Sequence, residues 1–167
     1  MRLALTDLFQ ARWTEQIHDE WIRSLLANRP DIRRESLERC RELMNVHVPD
    51  CLVQDYESLI PKLSLPDQDD RHVLAAAIHS TAGVIVTFNL NDFPAEILDE
   101  YGIEAVHPDE FVVRLLQASP QAVVGAVRRQ RLALRRPPTG TEEYLEMLKM
   151  CRLSGTAALL RGYEGEI

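Results

Sequence analysis

The sequence predicts an α/β fold built on a parallel sheet, and three features of one segment carry that expectation. Gly83-Val84-Ile85-Val86-Thr87-Phe88 is a continuous apolar run with β-branched residues. Continuous rather than alternating apolarity predicts a strand covered on both faces. Ahead of it, Gln68 to Ser80 carries Val73, Leu74, Ala77 and Ile78 at helical spacing, and helix then strand at this length is half of a βαβ unit. The strand runs out into Thr87, Asn89 and Asp92, polar groups placed where open parallel sheets hold their ligands.

The remaining elements follow along the chain. Thr14 to Leu26 reads as a helix with Thr14 as N-cap and Ile17, Trp21 and Leu25 as its apolar stripe. Arg33 to Met44 is an amphipathic helix whose apolar set is Ile32, Leu37, Cys40, Leu43 and Met44. Val46 to Asp55 is irregular or a short strand. Ile103 to Val106 predicts a last, edge-type strand. Pro108-Asp109 opens a helix through Leu116, and Pro120 opens another toward Leu134. Arg136-Pro137-Pro138-Thr139-Gly140 is the clearest linker. Thr141 to Cys151 and Ser154 to Arg161 then form two terminal helices. The expected division is a domain over residues 1–136 and a helical extension over residues 137–167.

The acids near the strand differ in kind. Asp67 follows Pro66 and suits an N-cap, and Asp67 and Asp69 both favour the positive end of the helix dipole. Asp70 lies three and four residues before Val73 and Leu74, on their face. A carboxylate on a buried stripe is unfavourable unless a partner or a metal compensates it. Glu20 sits at the edge of the Trp21 stripe, as either a surface glutamate or a second inward-leaning acid.

These segments resemble the PIN-domain family, in its VapC-like group of ribonuclease toxins. The matching stretches are RWTEQIHDEW, LPDQDDRHVLAAAI, VIVTFNLNDFP and IEAVHPDEF, spread from Arg12 to about Phe111; PPTGTEEYLEMLKMCRLSGTAALLR resembles the extra C-terminal helices of one subgroup. DDRHVLAAA followed by TFNLNDF is the specific combination. The resemblance implies a three-layer α/β/α fold with a central parallel sheet, plus C-terminal helices. It implies Mg²⁺ or Mn²⁺ as cofactor, held by Glu20, Asp70 and Asp92, with Asn89 as a hydrogen-bonding partner of the catalytic set. Thr87 would orient a ligand or the attacking water. It further implies an RNA substrate, a cognate antitoxin protein and a homodimer. In the family a central strand ending in Asp comes first, whereas RLALTDLFQ looks like the latter part of the first helix. The expectation is a chain numbered from a late start. In a truly shortened member one ligand would be missing, and the alternative would be an inactive PIN-like module that binds RNA or protein.

Composition narrows the classes. Three cysteines, Cys40, Cys51 and Cys151, are widely spaced; they give no zinc pattern and no disulfide framework, and fit a reducing cytoplasm. No apolar run approaches the roughly 20 residues of a membrane span, and no signal peptide is visible. The histidines lack metal-ligand spacing, and His72 beside the acids reads as a hydrogen-bonding or surface residue rather than a catalyst. A net charge of −7 argues against general nucleic-acid affinity. Arg128, Arg129, Arg131, Arg135 and Arg136 are an exception, as a solvated helix face, an RNA backbone contact or a surface for an acidic partner.

Overall fold

Thr14 ends one short extended segment and starts the first helix. Its hydroxyl accepts the Ile17 N–H at 3.0 Å, the cap expected of threonine at this position. The computed structural model describes residues 2–135 and 138–167. Along it run α1 (Glu15–Asn28), α2 (Arg34–His47), α3 (Arg71–His79), β1 (Val84–Val86), α4 (Ala95–Leu98), β2 (Glu104–Val106), α5 (Pro108–Ala118), α6 (Pro120–Ala133), α7 (Thr141–Met150) and α8 (Ser154–Leu160). The fold is mixed α/β and mostly helical.

The described residues show a small parallel sheet, and the central sheet of the expected three-layer fold is not shown among them. β1 pairs with β2 in a two-stranded sheet. Glu104 N–H donates to Gly83 O at 3.0 Å and Thr87 N–H to Val106 O at 3.0 Å, the stepping of a parallel pair. A further parallel bridge joins Trp13 to Leu52, through Trp13 N–H to Cys51 O and Val53 N–H to Trp13 O, both 2.8 Å. That pairing ends at once because Thr14 already caps α1. The two-sided burial expected of β1 also fails: Ile85 is buried, while Val84 and Val86 are 37% and 45% exposed. Apolar continuity marked the strand correctly but did not reveal which face is covered.

Two compact units divide the described chain. One comprises Gln10–Ile85 and Asn89–Ala105. Its core packs Leu74, Ala75, Ala76 and Ala77 of α3 against Ile85, Phe93, Leu98 and Ile103. The alanine run lets the helix approach the strand closely. The other unit comprises the residues up to Phe9, Val86–Phe88 and Val106–Ile167. It centres on Leu116, Val123, Val124, Val127, Tyr144, Leu145 and Leu160 from α5 to α8. The boundary expected between Arg136 and Pro137 lies outside the described residues.

The buried face of α1 is rotated from the expected one. Thr14, His18 and Ile22 are buried at i, i+4 and i+8, and Leu25 is exposed. A histidine can hold the centre of this face because its ring is hydrogen-bonded. Trp21 Nε1–H donates to His18 Nδ1 at 2.9 Å, so the ring proton sits on Nε2, which lies 2.9 Å from Asn45 Oδ1. Trp13 Nε1–H donates to the same Asn45 oxygen at 2.8 Å. Asn45 on α2 thus joins the two helices. Asn45→Ala should strand both donors and cost about 2 kcal/mol, read as a lower melting temperature with wild-type helix content at 25 °C; an unchanged melt would show that the network adds nothing.

Candidate metal centre

The turn before α3 assembles the acids. Asp67 does not cap the helix as expected. Its Oδ1 accepts the Asp69 N–H at 2.8 Å, closing a local turn that delays helical geometry to Arg71. Asp70 then occupies the position just before the helix, at φ −79° and ψ −6°, with no hydrogen bond from its side chain to the helix N-terminus. A single turn over Leu90–Asp92 brings in the third acid, its closing bond running from Asp92 N–H to Asn89 O at 3.3 Å.

One carboxylate oxygen from each of Asp67, Asp70 and Asp92 lies within 4.8 Å of the others. Two of these acids, Asp70 and Asp92, were expected as metal ligands. Asp67 was read as a cap, and only the turn at Asp69 reveals its second position. Asn89 Nδ2–H donates to Asp92 Oδ2, which fixes that carboxylate. Asp70 and Asp92 are half-buried and Asp67 is exposed. Burial, then the charges of Asp67, Asp92, Glu20 and Asp69, push the Asp70 carboxyl up to about 6. This centre therefore holds uncompensated negative charge in a partly desolvated place.

Glu20 is not within that group of three. It acts on Asp70 through its charge, while its Oε1 lies 2.9 Å from His72 Nε2. His72, read from the sequence as a hydrogen-bonding or surface residue, is 2% exposed, which removes the surface alternative. Burial pushes the imidazole below the usual histidine range, against the upward pull of Glu20 and Asp69. The Nε2–Oε1 separation is that of an ion pair, but the angle falls outside hydrogen-bond geometry, and Nδ1 has no hydrogen-bond partner among the described residues. Thr87 belongs to the other compact unit, where its N–H donates to Val106 O.

Donors made of carboxylate oxygen alone, with repulsion to relieve, suit a hard divalent cation such as Mg²⁺ or Mn²⁺. The residues present thus fit the ion that the family resemblance implies.

Comparison with known proteins bears on part of the chain. The family described as VapC50 C-terminal domain matches residues 108–162. A protein named Putative ribonuclease VapC50, from Mycobacterium tuberculosis, is 40% identical over 79 residues. Each match likens one part of this chain to VapC50. That match covers 47% of this chain and 47% of the relative, so the chain spans about half the length of the curated relative it matches. No solved structure matches it significantly.

The match to the VapC50 C-terminal domain begins with Pro108, the first residue of α5, and runs through α6, α7 and α8. Asp109 organises this region. Its Oδ2 accepts Gly155 N–H and its Oδ1 accepts Thr156 N–H, each at 2.7 Å, so a side chain of α5 caps the N-terminus of α8. Partial burial would raise its carboxyl, but the Thr156 and Gly155 hydrogen bonds outweigh this and hold it below the usual range. The arginine cluster of this chain is not one continuous face. Arg128 and Arg129 are exposed, whereas Arg131 is half-buried and its Nη1 donates to Thr139 O at 2.8 Å. Arg136 lies outside the described residues. Among the described residues no helix is long and apolar enough to cross a membrane.

Proposed function

We propose that this chain is a metal-dependent endoribonuclease of the PIN-domain toxin type, acting on RNA in the cytoplasm and restrained by a cognate antitoxin protein, with a homodimer as its assembly. The observation that carries this reading is the convergence of Asp67, Asp70 and Asp92 within one ion's reach. The VapC50 matches support the ribonuclease class.

Asp70 and Asp92, with Asp67 alongside, would hold Mg²⁺ or Mn²⁺. When bound, such an ion lowers the pKa of a water and offsets charge on the scissile phosphate. The chain's own residues set the geometry. Asn89 holds Oδ2 of Asp92, and one carboxylate oxygen of Asp92 lies within 4.8 Å of those of Asp70 and Asp67. The repulsion felt by Asp70 is the reason a cation is favoured there over an empty, protonated site. Glu20 supplies further negative charge from α1. Arg128 and Arg129 are exposed cations available to an acidic antitoxin segment, which charge complementarity would orient more than it would tighten.

The test is single-stranded RNA incubated with the purified chain. Cleavage should require Mg²⁺ or Mn²⁺, stop with EDTA, and fall by about 100-fold in Asp92→Asn. Mn²⁺ binding by calorimetry without RNA cleavage would favour the inactive binding module. Absence of both would overturn the reading.

A further inference from the structure

We infer that His72 is a positioning residue for Glu20, holding that carboxylate toward the acid cluster; the inference rests on the metal-centre reading above. His72 lies in the first turn of α3, on the side that enters the core with Leu74, Ala75 and Ala76. An apolar residue would pack there without desolvation cost, whereas a buried imidazole lacking well-formed hydrogen bonds is unfavourable. Glu20 Oε1 lies 2.9 Å from its Nε2. That contact ties α1 to α3 two residues from Asp70.

Glu20 needs such a restraint. It is half-exposed, has three side-chain torsions, and lies outside the group formed by Asp67, Asp70 and Asp92. Left free, its carboxylate would spread over many rotamers in solvent. The close approach of His72 Nε2 to Oε1 restrains this side chain, whose charge acts on the Asp70 carboxyl. Histidines and carboxylates behind metal ligands act in this way, and their loss typically weakens metal affinity by about 10- to 100-fold.

The experiment measures Mn²⁺ affinity by calorimetry for His72→Leu and His72→Gln, each alone and combined with Glu20→Gln, with folding checked by circular dichroism. His72→Leu should weaken Mn²⁺ by about tenfold. His72→Gln, whose amide can still donate to Glu20, should restore most of that affinity. In the Glu20→Gln background His72→Leu should add no further loss. Nitrogen-15 spectra of the wild type should place the ring proton on Nε2. Unchanged Mn²⁺ affinity in His72→Leu, an equal loss in the Glu20→Gln background, or a ring protonated on Nδ1 alone would each overturn the role of His72. These outcomes leave the metal centre standing. A wild-type chain that binds no Mn²⁺ overturns the centre and this inference together. If His72→Leu does not fold, the ring tautomer and the His72→Gln affinity decide.

Discussion

Asp70→Asn is expected to make the metal-free protein more stable at pH 7, while abolishing divalent-metal binding and RNA cleavage. The carboxyl of Asp70 is pushed up to about 6 by burial and four neighbouring acids. A carboxyl whose pKa is higher folded than unfolded is favoured by folding only in its protonated form. Its contribution is present below the unfolded value and is lost as pH rises through about 6. At pH 7 the ionised group therefore opposes folding. The site is half-exposed, so solvent screening reduces the effect to about 1 kcal/mol, a gain of about 2–4 °C for asparagine. At pH 5 the gain should shrink. Saturating Mn²⁺ should reverse the order, since binding at about 100 times Kd stabilises the wild type by about 2.7 kcal/mol and leaves the variant unchanged. Melting curves at pH 5 and pH 7, with and without Mn²⁺, check this. Identical curves for the two proteins at both pH values would mean that the acids do not interact as described.

Asp109→Ala should be the most damaging single change outside the cores. It removes both acceptors for the first N–H groups of α8 and disconnects that helix from α5. Hydrogen bonds to a charged group are each worth about 1.5–3 kcal/mol, and half-burial of the site places the combined loss at about 2–3 kcal/mol. The melting temperature should fall by about 4–12 °C. The pH dependence has the opposite sign to that of Asp70. The folded carboxyl is held below its usual range, so its contribution is present above the unfolded value and is lost as pH falls below about 4. The wild-type advantage over Asp109→Ala should thus narrow in acid. Gly155→Ala offers an independent check, because a Cβ there would lie 3.0 Å from Asp109 Oδ2 and 3.4 Å from Val113 Cγ2. A Gly155→Ala melt equal to wild type would show that the helix junction is slack.

By itself, the sequence determined the helices, the strand before Asn89 and Asp92, and two of the three converging acids. These depend on local rules: apolar spacing, proline at the first helical position, a threonine cap, and acids next to a strand end. The tertiary structure alone decided which faces are used. Val84 and Val86 are as apolar as Ile85, yet only Ile85 meets the packed alanines of α3. His18 at the centre of a helix face is intelligible only once Asn45 and Trp21 are in place around it. Asp67 lies beside Asp70 and Asp92 where its carboxylate closes a local turn onto the Asp69 N–H, and that turn competes with capping for the same oxygen. His72 and Glu20 lie 52 positions apart in sequence, and Asp109 and Gly155 lie 46 apart. No periodicity links such residues, since only long-range packing of one helix on another sets the distance between them.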